Sequence, residues 1–497
     1  MAALSDLQPA NVFKYFQELC NIPHGSGNIR AISDYLCAFA KDRGLKFVQD
    51  EAGNVIIYKP ASGTGTEKTQ EPLILQAHMD MVAVSVDDRD MTAVPIVPLI
   101  DGDHIYADGT SLGGDDGIGV AYIMALLASD DLAHPPLEAV ITTDEETGMD
   151  GARALDPALI SGRRMINLDS EEEGHILAGC AGGARVYISH GFGSRQTISG
   201  QVIRIDITGC AGGHSGNEIH KRGANANVIA GRLLNALCGK YDVDLIDIGG
   251  GEVDNAIPKF AYMTLAFSDV ISEAEISDEI RKNAEMIKSE FTESDPDMKI
   301  ETEVVPAESL HNSSNSGLAS DQTLMSSAET TRHIAAMLCE LPNGVMAMSP
   351  DVEGLVETSL NLGVISCEPD AVKLQYSVRS SIEEDKASLI GRLRAVADKA
   401  GADTEVNGDY PGWKYQKDSA LRDCLEKVYK DMYGKEAVTE AIHAGLECGF
   451  FSKALPGLDC VSIGPDMKDI HTTSERLSIS STARLWDYLC RVINELC

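Results

Sequence analysis

Apolar positions recur at helical spacing over residues 9–20 and 29–43, which predicts two opening helices around the turn Pro23-His24-Gly25-Ser26-Gly27-Asn28. The pattern then changes. Residues 54–58 and 73–77 are short and almost continuously apolar, as strands are when both faces are covered. A polar loop is predicted over 61–66, a helix over 121–128, and further strands over 137–143, 165–168 and 460–463. Helices over 418–433 and 480–496 close the chain. Apolar strands alternating with helices predict an α/β fold, a central sheet flanked by helices.

Between about residues 185 and 399 the pattern reads differently. A strand over 201–209 is followed by a helix over 225–239, strands over 242–249 and 257–267, a helix over 272–291, and then a similar succession to 400. This predicts an inserted α+β domain over 186–399, its element order pointing to a duplicated unit. The first domain is then discontinuous, 1–185 and 400–497.

Charge narrows the class of partner. The 497 residues carry 41 Lys+Arg against 77 Asp+Glu, a formal net charge of -36, which repels nucleic acid phosphates and anionic lipid head groups. Neither nucleic acid nor membrane is expected as a partner. Much of the excess acid would simply be solvated surface. Twelve scattered cysteines without a CxxC pair, no leader-like N-terminus and no bilayer-length apolar run predict a cytoplasmic protein.

The strand ends carry the chemistry. In Leu73-Ile74-Leu75-Gln76-Ala77-His78-Met79-Asp80, period-two alternation points His78 and Asp80 the same way, as a metal-binding imidazole and its carboxylate partner would be. Asp115 and Asp116 sit in the glycine-rich run Thr110-Ser111-Leu112-Gly113-Gly114-Asp115-Asp116-Gly117, where one aspartate would suffice as a helix cap and two point to a cation. Asp144-Glu145-Glu146 ends one strand and Asp169 another, while His471 follows a third. An acidic run in isolation is an ordinary solvated turn, but groups beyond the carboxyl ends of strands in open α/β sheets gather into sites. Together His78, Asp115, Glu146, Asp169 and His471 make a set of mixed nitrogen and oxygen donors suited to two zinc ions with Asp115 shared.

The motifs LILQAHMDMV, TSLGGDDGIG, ITTDEETG, INLDSEE, GGHSGNEIHKRGANAN, NAIP, HAGLECG and DIHTTSERLSI, in this order, resemble those of the co-catalytic zinc peptidases and deacylases. Within that family they are most similar to the aminoacyl-histidine dipeptidase branch, also called Xaa-His or cytosol non-specific dipeptidases. The resemblance implies a zinc-peptidase domain with a central mixed sheet, an enlarged lid domain and a homodimer. It also implies two Zn2+ per subunit, with Mn2+ or Co2+ as substitutes. His78, Asp115 and Asp169 would hold one zinc and Asp115, Glu146 and His471 the other; Asp80 would orient His78, and Glu145 would be the general base. A cis Asp115-Asp116 bond is implied too, with Asp116 standing where asparagine is often found. His214, Asn255, Arg379 and Gly445 would bind the dipeptide, Arg379 through its carboxylate. His443 and Glu447 read as ordinary polar residues at a helix start. The competing readings are an N-acyl amino acid deacylase with the same centre and a metal-binding protein without catalysis.

Overall fold

The computed structural model describes residues 4–63, 71–306 and 324–497; residues 64–66 of the expected loop and 307–323 of the expected inserted domain lie outside these. Two compact units emerge. The first comprises 1–180, 413–441 and 446–497, and the second 181–412 with 442–445. The changeovers fall at Cys180/Ala181 and Gly412/Trp413 because the strands Gly182–Gly191 and Asp403–Tyr410 pair with one another inside the second unit. Gly445, expected in the first domain, groups with the second.

The first unit is built on an eight-stranded sheet in the order Lys46–Gln49, Val55–Lys59, Leu137–Thr142, Leu73–His78, Arg164–Asn167, Asp459–Ser462, His175–Cys180 and Val438–Ile442. Its centre is parallel: Leu73–His78 runs parallel to both Leu137–Thr142 and Arg164–Asn167, and Asp459–Ser462 runs parallel to Arg164–Asn167. Outer pairs are antiparallel, so the sheet is mixed. Every residue of Leu73–His78 and of Leu137–Thr142 is buried, which is why these strands carry no polar alternation. The helices Ala10–Cys20, Gly114–Ala128 and Ile479–Glu495 bury Phe13, Phe16, Ile123, Leu485 and Leu489 in the same core as Leu75 and Ile166. At about 25 cal/mol per Å² of apolar surface, such continuous burial on two faces fixes the strands in one register.

A small four-stranded sheet, ordered Met467–Lys468, Arg476–Ser478, His104–Ala107 and Pro98–Asp101, completes this unit. Its strands of two to four residues leave almost no periodic signal, and the sequence does not predict them. It matters because Met467 pairs with Leu477 and Lys468 with Arg476, making residues 469–475 the loop of a hairpin.

The second unit holds a nine-stranded antiparallel sheet. Its order is Lys299–Val304, Gln201–Thr208, Ala261–Phe267, Val243–Gly250, Val356–Cys367, Ala371–Ser380, Gly182–Gly191 and Asp403–Tyr410, with Gly344–Met348 also paired to Val356–Cys367. The two halves match outward from the middle. Helix Ala226–Cys238, two long strands, helix Glu273–Glu290 and an edge strand in one half correspond to helix Ala328–Glu340, two long strands, helix Glu383–Ala400 and an edge strand in the other, each half with one further short strand between its helices. The expected strand 257–267 is broken: Ala256–Ile257 pairs with Gly213–His214, and the long strand starts only at Ala261. Pro258 supplies the break, having no N–H for a ladder.

Candidate metal centre

The carboxyl ends of the three parallel strands bring His78, the Asp144-Glu145-Glu146 turn and Asp169 to one edge of the sheet. The helix Gly114–Ala128 adds Asp115 and Asp116, whose φ/ψ values are not helical and whose joining peptide is cis, as the resemblance implied. His471 arrives from the hairpin loop, at φ +61°, in the left-handed region that side chains seldom occupy.

Asp115 lies between the two imidazoles. Its Oδ1 is 3.1 Å from His78 Nε2 and its Oδ2 is 3.0 Å from His471 Nε2. Asp169 Oδ1 stands 3.5 Å from His78 Nε2, and Glu146 Oε2 stands 3.0 Å from His471 Nε2. Each imidazole thus faces the shared carboxylate and one private carboxylate. Ligands on a tetrahedral zinc with bonds of about 2.0–2.1 Å are roughly 3.3 Å apart, and the N···O separations here span 3.0–3.5 Å. His78, Asp115 and Glu146 offer donor atoms within 4.8 Å of one another, as do His78, Asp116 and Asp169. Glu146 Oε1 is buried with no hydrogen-bond partner among the described residues, an acceptor that a cation would satisfy. The donor chemistry, the spacing and this orphaned oxygen fit divalent metal.

Electrostatics agree. Burial works against a charged His78, yet Asp169 and the hydrogen bonds of Asp115, Asp169 and Asp80 outweigh it and raise its pKa well above the ordinary value. Hydrogen bonds to the carboxylates of Asp115 and Glu146 lift His471 to about 10. Burial pushes Asp169 up to about 7, with His78 opposing and Asp115 adding. Burial also raises Glu145, against His78 and with Asp169, Glu447 and Glu146. Crowded carboxylates of this kind bind protons and cations competitively.

Asp80 differs in detail from the sequence expectation. The strand ends at His78, so alternation no longer applies, and His78 Nδ1 is held at 3.0 Å by the Asp80 backbone carbonyl, nearer than the carboxylate oxygen at 3.5 Å. The Asp80 carboxylate accepts instead from Ser26 Oγ at 2.8 Å, Glu145 N–H at 3.0 Å and Glu146 N–H at 3.4 Å. Asp80 thereby fixes both His78 and the turn carrying Glu145 and Glu146. Asp116 is buried and accepts the backbone N–H groups of His78 and Gly119.

Two further residues gain a part that the sequence did not give them. Glu447, expected as an ordinary polar residue at a helix start, is 0% exposed; its Oε2 accepts from Gln76 Nε2 at 2.5 Å and Thr142 Oγ1 at 2.6 Å, and its Oε1 has no partner among the described residues. Glu475 is buried against the turn bearing Asp115. Nothing in residue type distinguishes either from a surface acid; only the contacts do.

The expected substrate-binding residues gather in the second unit. Asn217 N–H donates to His214 Nδ1, which places the proton of a neutral His214 on Nε2 as a donor. The Asn255 carbonyl accepts from Ser215 N–H at 2.8 Å, joining the two motifs. Arg379 is 8% exposed, 3.4 Å from the Tyr410 hydroxyl through one nitrogen, and its buried Nε has no partner among the described residues. Its charge reaches two imidazoles: burial and then Arg379 lower His214, and burial and then Arg379 bring His443 to about 3. His443, expected to be incidental, is therefore a buried neutral imidazole, 2.7 Å from Ser359 Oγ. Gly445 is half-buried beside it in sequence.

Known proteins resemble this chain over its full length. The sequence is 35% identical over 504 residues to the cytosol non-specific dipeptidase of Escherichia coli (strain K12), covering 100% of this chain and 99% of that one. The crystal structure of aminoacylhistidine dipeptidase from Vibrio alginolyticus superposes with a TM-score of 0.90 at 36% identity, over 99% and 98% of the two chains. A likeness of fold alone extends to aminopeptidase PepT from Bacillus cereus, 18% identical with a TM-score of 0.56 over 99% of both chains. Residues 74–495, the span that contains every donor described above, match one family throughout. The chain belongs to peptidase family M20/M25/M40.

Proposed function

We propose that this protein is a dinuclear zinc dipeptidase that hydrolyses short peptides, Xaa-His and related dipeptides among them. The observation that carries the reading is the Asp115 carboxylate, one oxygen toward each imidazole, with Asp169 and Glu146 as private partners. Relatives named as dipeptidases over the whole chain support it. His78, Asp115 and Asp169 would hold one ion and Asp115, Glu146 and His471 the other. Such ions supply a Lewis acid for the scissile carbonyl and acidify a water at neutral pH.

The chain's own residues do the rest. Glu145 takes a proton from the attacking water as its oxygen bonds to the carbonyl carbon, and returns that proton to the amine nitrogen as the C–N bond breaks. Its raised pKa suits a group that must both accept and release. Asp80 keeps the Glu145 backbone fixed throughout. His214 Nε2–H donates to the developing oxyanion, Arg379 grips the C-terminal carboxylate of the dipeptide, its Nε having no partner among the described residues, and Asn255 and Gly445 present polar backbone and side-chain groups to the substrate.

In this reading residues 186–399 form the lid and dimerisation domain of a homodimer, and 1–185 with 400–497 the catalytic domain. A cytoplasmic location is supported by the name of the Escherichia coli relative; no helix among the described residues is long and apolar enough to cross a membrane.

Metal analysis of the purified protein, paired with assays on Xaa-His dipeptides and N-acetyl amino acids, tests the proposal. Two equivalents of zinc and cleavage of dipeptides are expected, with Mn2+ or Co2+ restoring activity after chelation. Cleavage of N-acetyl amino acids alone would make the protein a deacylase, and two bound metals without turnover on a broad dipeptide panel would make it a binding protein.

A further inference from the structure

Glu475 is 3% exposed and lies four residues beyond His471, in the same hairpin loop. Its carboxylate is met by four consecutive backbone N–H groups. Oε2 accepts from Leu112 at 2.7 Å and Gly113 at 3.1 Å, and Oε1 from Gly114 at 2.8 Å and, at the long limit, from Asp115 at 3.4 Å. Four converging donors match the four lone-pair positions of a carboxylate's two oxygens.

These N–H groups belong to the irregular turn Leu112–Asp115, since regular helical φ/ψ resumes only after Asp116. The regular helix is capped locally, by Asp116 Oδ1 accepting from Gly119 N–H. The turn before it, with Gly113 at φ +70°, takes its acceptor instead from the other end of the sequence. The origin of that acceptor has a geometric consequence. One side chain clasps the turn that carries Asp115, while its own loop carries His471, whose Nε2 is 3.0 Å from Asp115 Oδ2. The separation of those two donors is therefore set from behind, through main chain, independently of what lies between them.

We propose that Glu475 is a positioning residue that presets the Asp115 carboxylate between two metal positions and so governs how tightly the pair of ions binds. It touches neither ion nor substrate. The inference rests on the dinuclear reading above and goes beyond it, since the five donors alone would allow Asp115 to turn toward a single ion. A cap on that turn and nothing more would contribute stability without changing metal affinity, and this difference decides the matter.

The experiment uses full-length, chelator-treated protein as wild type, Glu475→Gln, Gly114→Ala and Asp103→Asn. Zn2+ binding is measured by calorimetry, the visible spectrum is recorded with Co2+, and the metal-free thermal midpoint is taken for each. Gln keeps the shape but turns an NH2 toward backbone N–H donors. In Gly114→Ala the new Cβ comes within 3.1 Å of Glu475 Oε1 and 3.3 Å of Met467 Sδ, crowding the carboxylate while leaving its charge. Asp103 accepts from Ser478 Oγ, Ser480 Oγ and Ser480 N–H at the start of the helix Ile479–Glu495, so Asp103→Asn reports what loss of a carboxylate cap beside the same hairpin does without touching the Asp115 turn.

Expected are two equivalents on wild type, at least tenfold weaker binding of one equivalent in Glu475→Gln with an altered Co2+ spectrum, and a smaller change in the same direction in Gly114→Ala. Asp103→Asn should lower the midpoint and leave both affinities intact. Two tight equivalents in a folded Glu475→Gln, within threefold of wild type, overturn the proposal. Should that variant not fold, unchanged affinities in Gly114→Ala do so. Fewer than two equivalents on wild type would instead remove the dinuclear reading itself, and the proposal with it.

Discussion

Replacing Glu447 by Gln should make the metal-free protein less sensitive to alkaline pH. The side chain is fully buried under Leu73–His78 and Leu137–Thr142, tied to Gln76 and Thr142, with Gln76 in turn accepting from Asn167 Nδ2 at 2.5 Å. Burial, with Asp169 and Asp80 adding and with His78 and the Thr142 hydroxyl opposing, pushes its carboxyl from 4.5 up to about 8. The folded state therefore keeps a proton that the unfolded chain has already lost. Stability is greatest below pH 4.5 on this account and falls as pH rises through 8. At about 1.4 kcal/mol per unit, the 2.5 units from pH 5.5 to 8 cost wild type about 3 kcal/mol.

Gln is the neutral counterpart of the protonated acid and removes that slope. It places an NH2 where Glu447 Oε1 has no partner, at a cost of about 1 kcal/mol at any pH. The two stability curves should diverge, the variant lying about level with wild type at pH 5.5 and about 3 kcal/mol above it at pH 8. Urea denaturation in the presence of chelator at both pH values measures this. Parallel curves would show that Glu447 does not titrate in this window and refute the reasoning.

Glu145→Gln should keep its full metal content and lose about 10²- to 10⁴-fold in turnover, the span expected for a lost proton carrier; normal turnover would remove Glu145 from the mechanism. Arg379→Lys, deprived of a two-bond grip, should lower kcat/KM for free dipeptides about 10- to 100-fold and leave C-terminally amidated ones unchanged. An equal effect on both substrates would mean that Arg379 serves structure. Leu75→Ala, in a strand with no exposed residue, should cost about 2–5 kcal/mol by urea unfolding, and a loss under about 1 kcal/mol would place that strand outside the core.

Legibility in the sequence follows the length and burial of each element. Leu73–His78 and Leu137–Thr142 stand out because burial on both faces leaves them apolar but for Gln76 and Glu138 before the strand ends, and the acids that follow are conspicuous for that reason. Strands of two to four residues, such as Met467–Lys468 and Arg476–Ser478, are too short for periodicity, so the hairpin that delivers His471 is invisible although His471 itself is not. Asp80 shows the limit of alternation: the pattern is right for a strand, but the strand stops at His78, and main chain rather than side chain makes the closer contact.

Residue order alone lays out the chemistry on offer: which strands are buried, which side chains stand at their ends, and which donors a divalent ion could use. Those are local properties, written in the spacing of a few residues. Tertiary structure alone decided how the donors are shared and held, with Asp115 facing both imidazoles, Glu475 clasping four backbone N–H groups from the far end of the chain, and Glu447 sealed beneath the sheet. A carboxylate's role depends on the donors and the dielectric around it, and both are supplied by segments hundreds of residues away that the chain brings together only on folding.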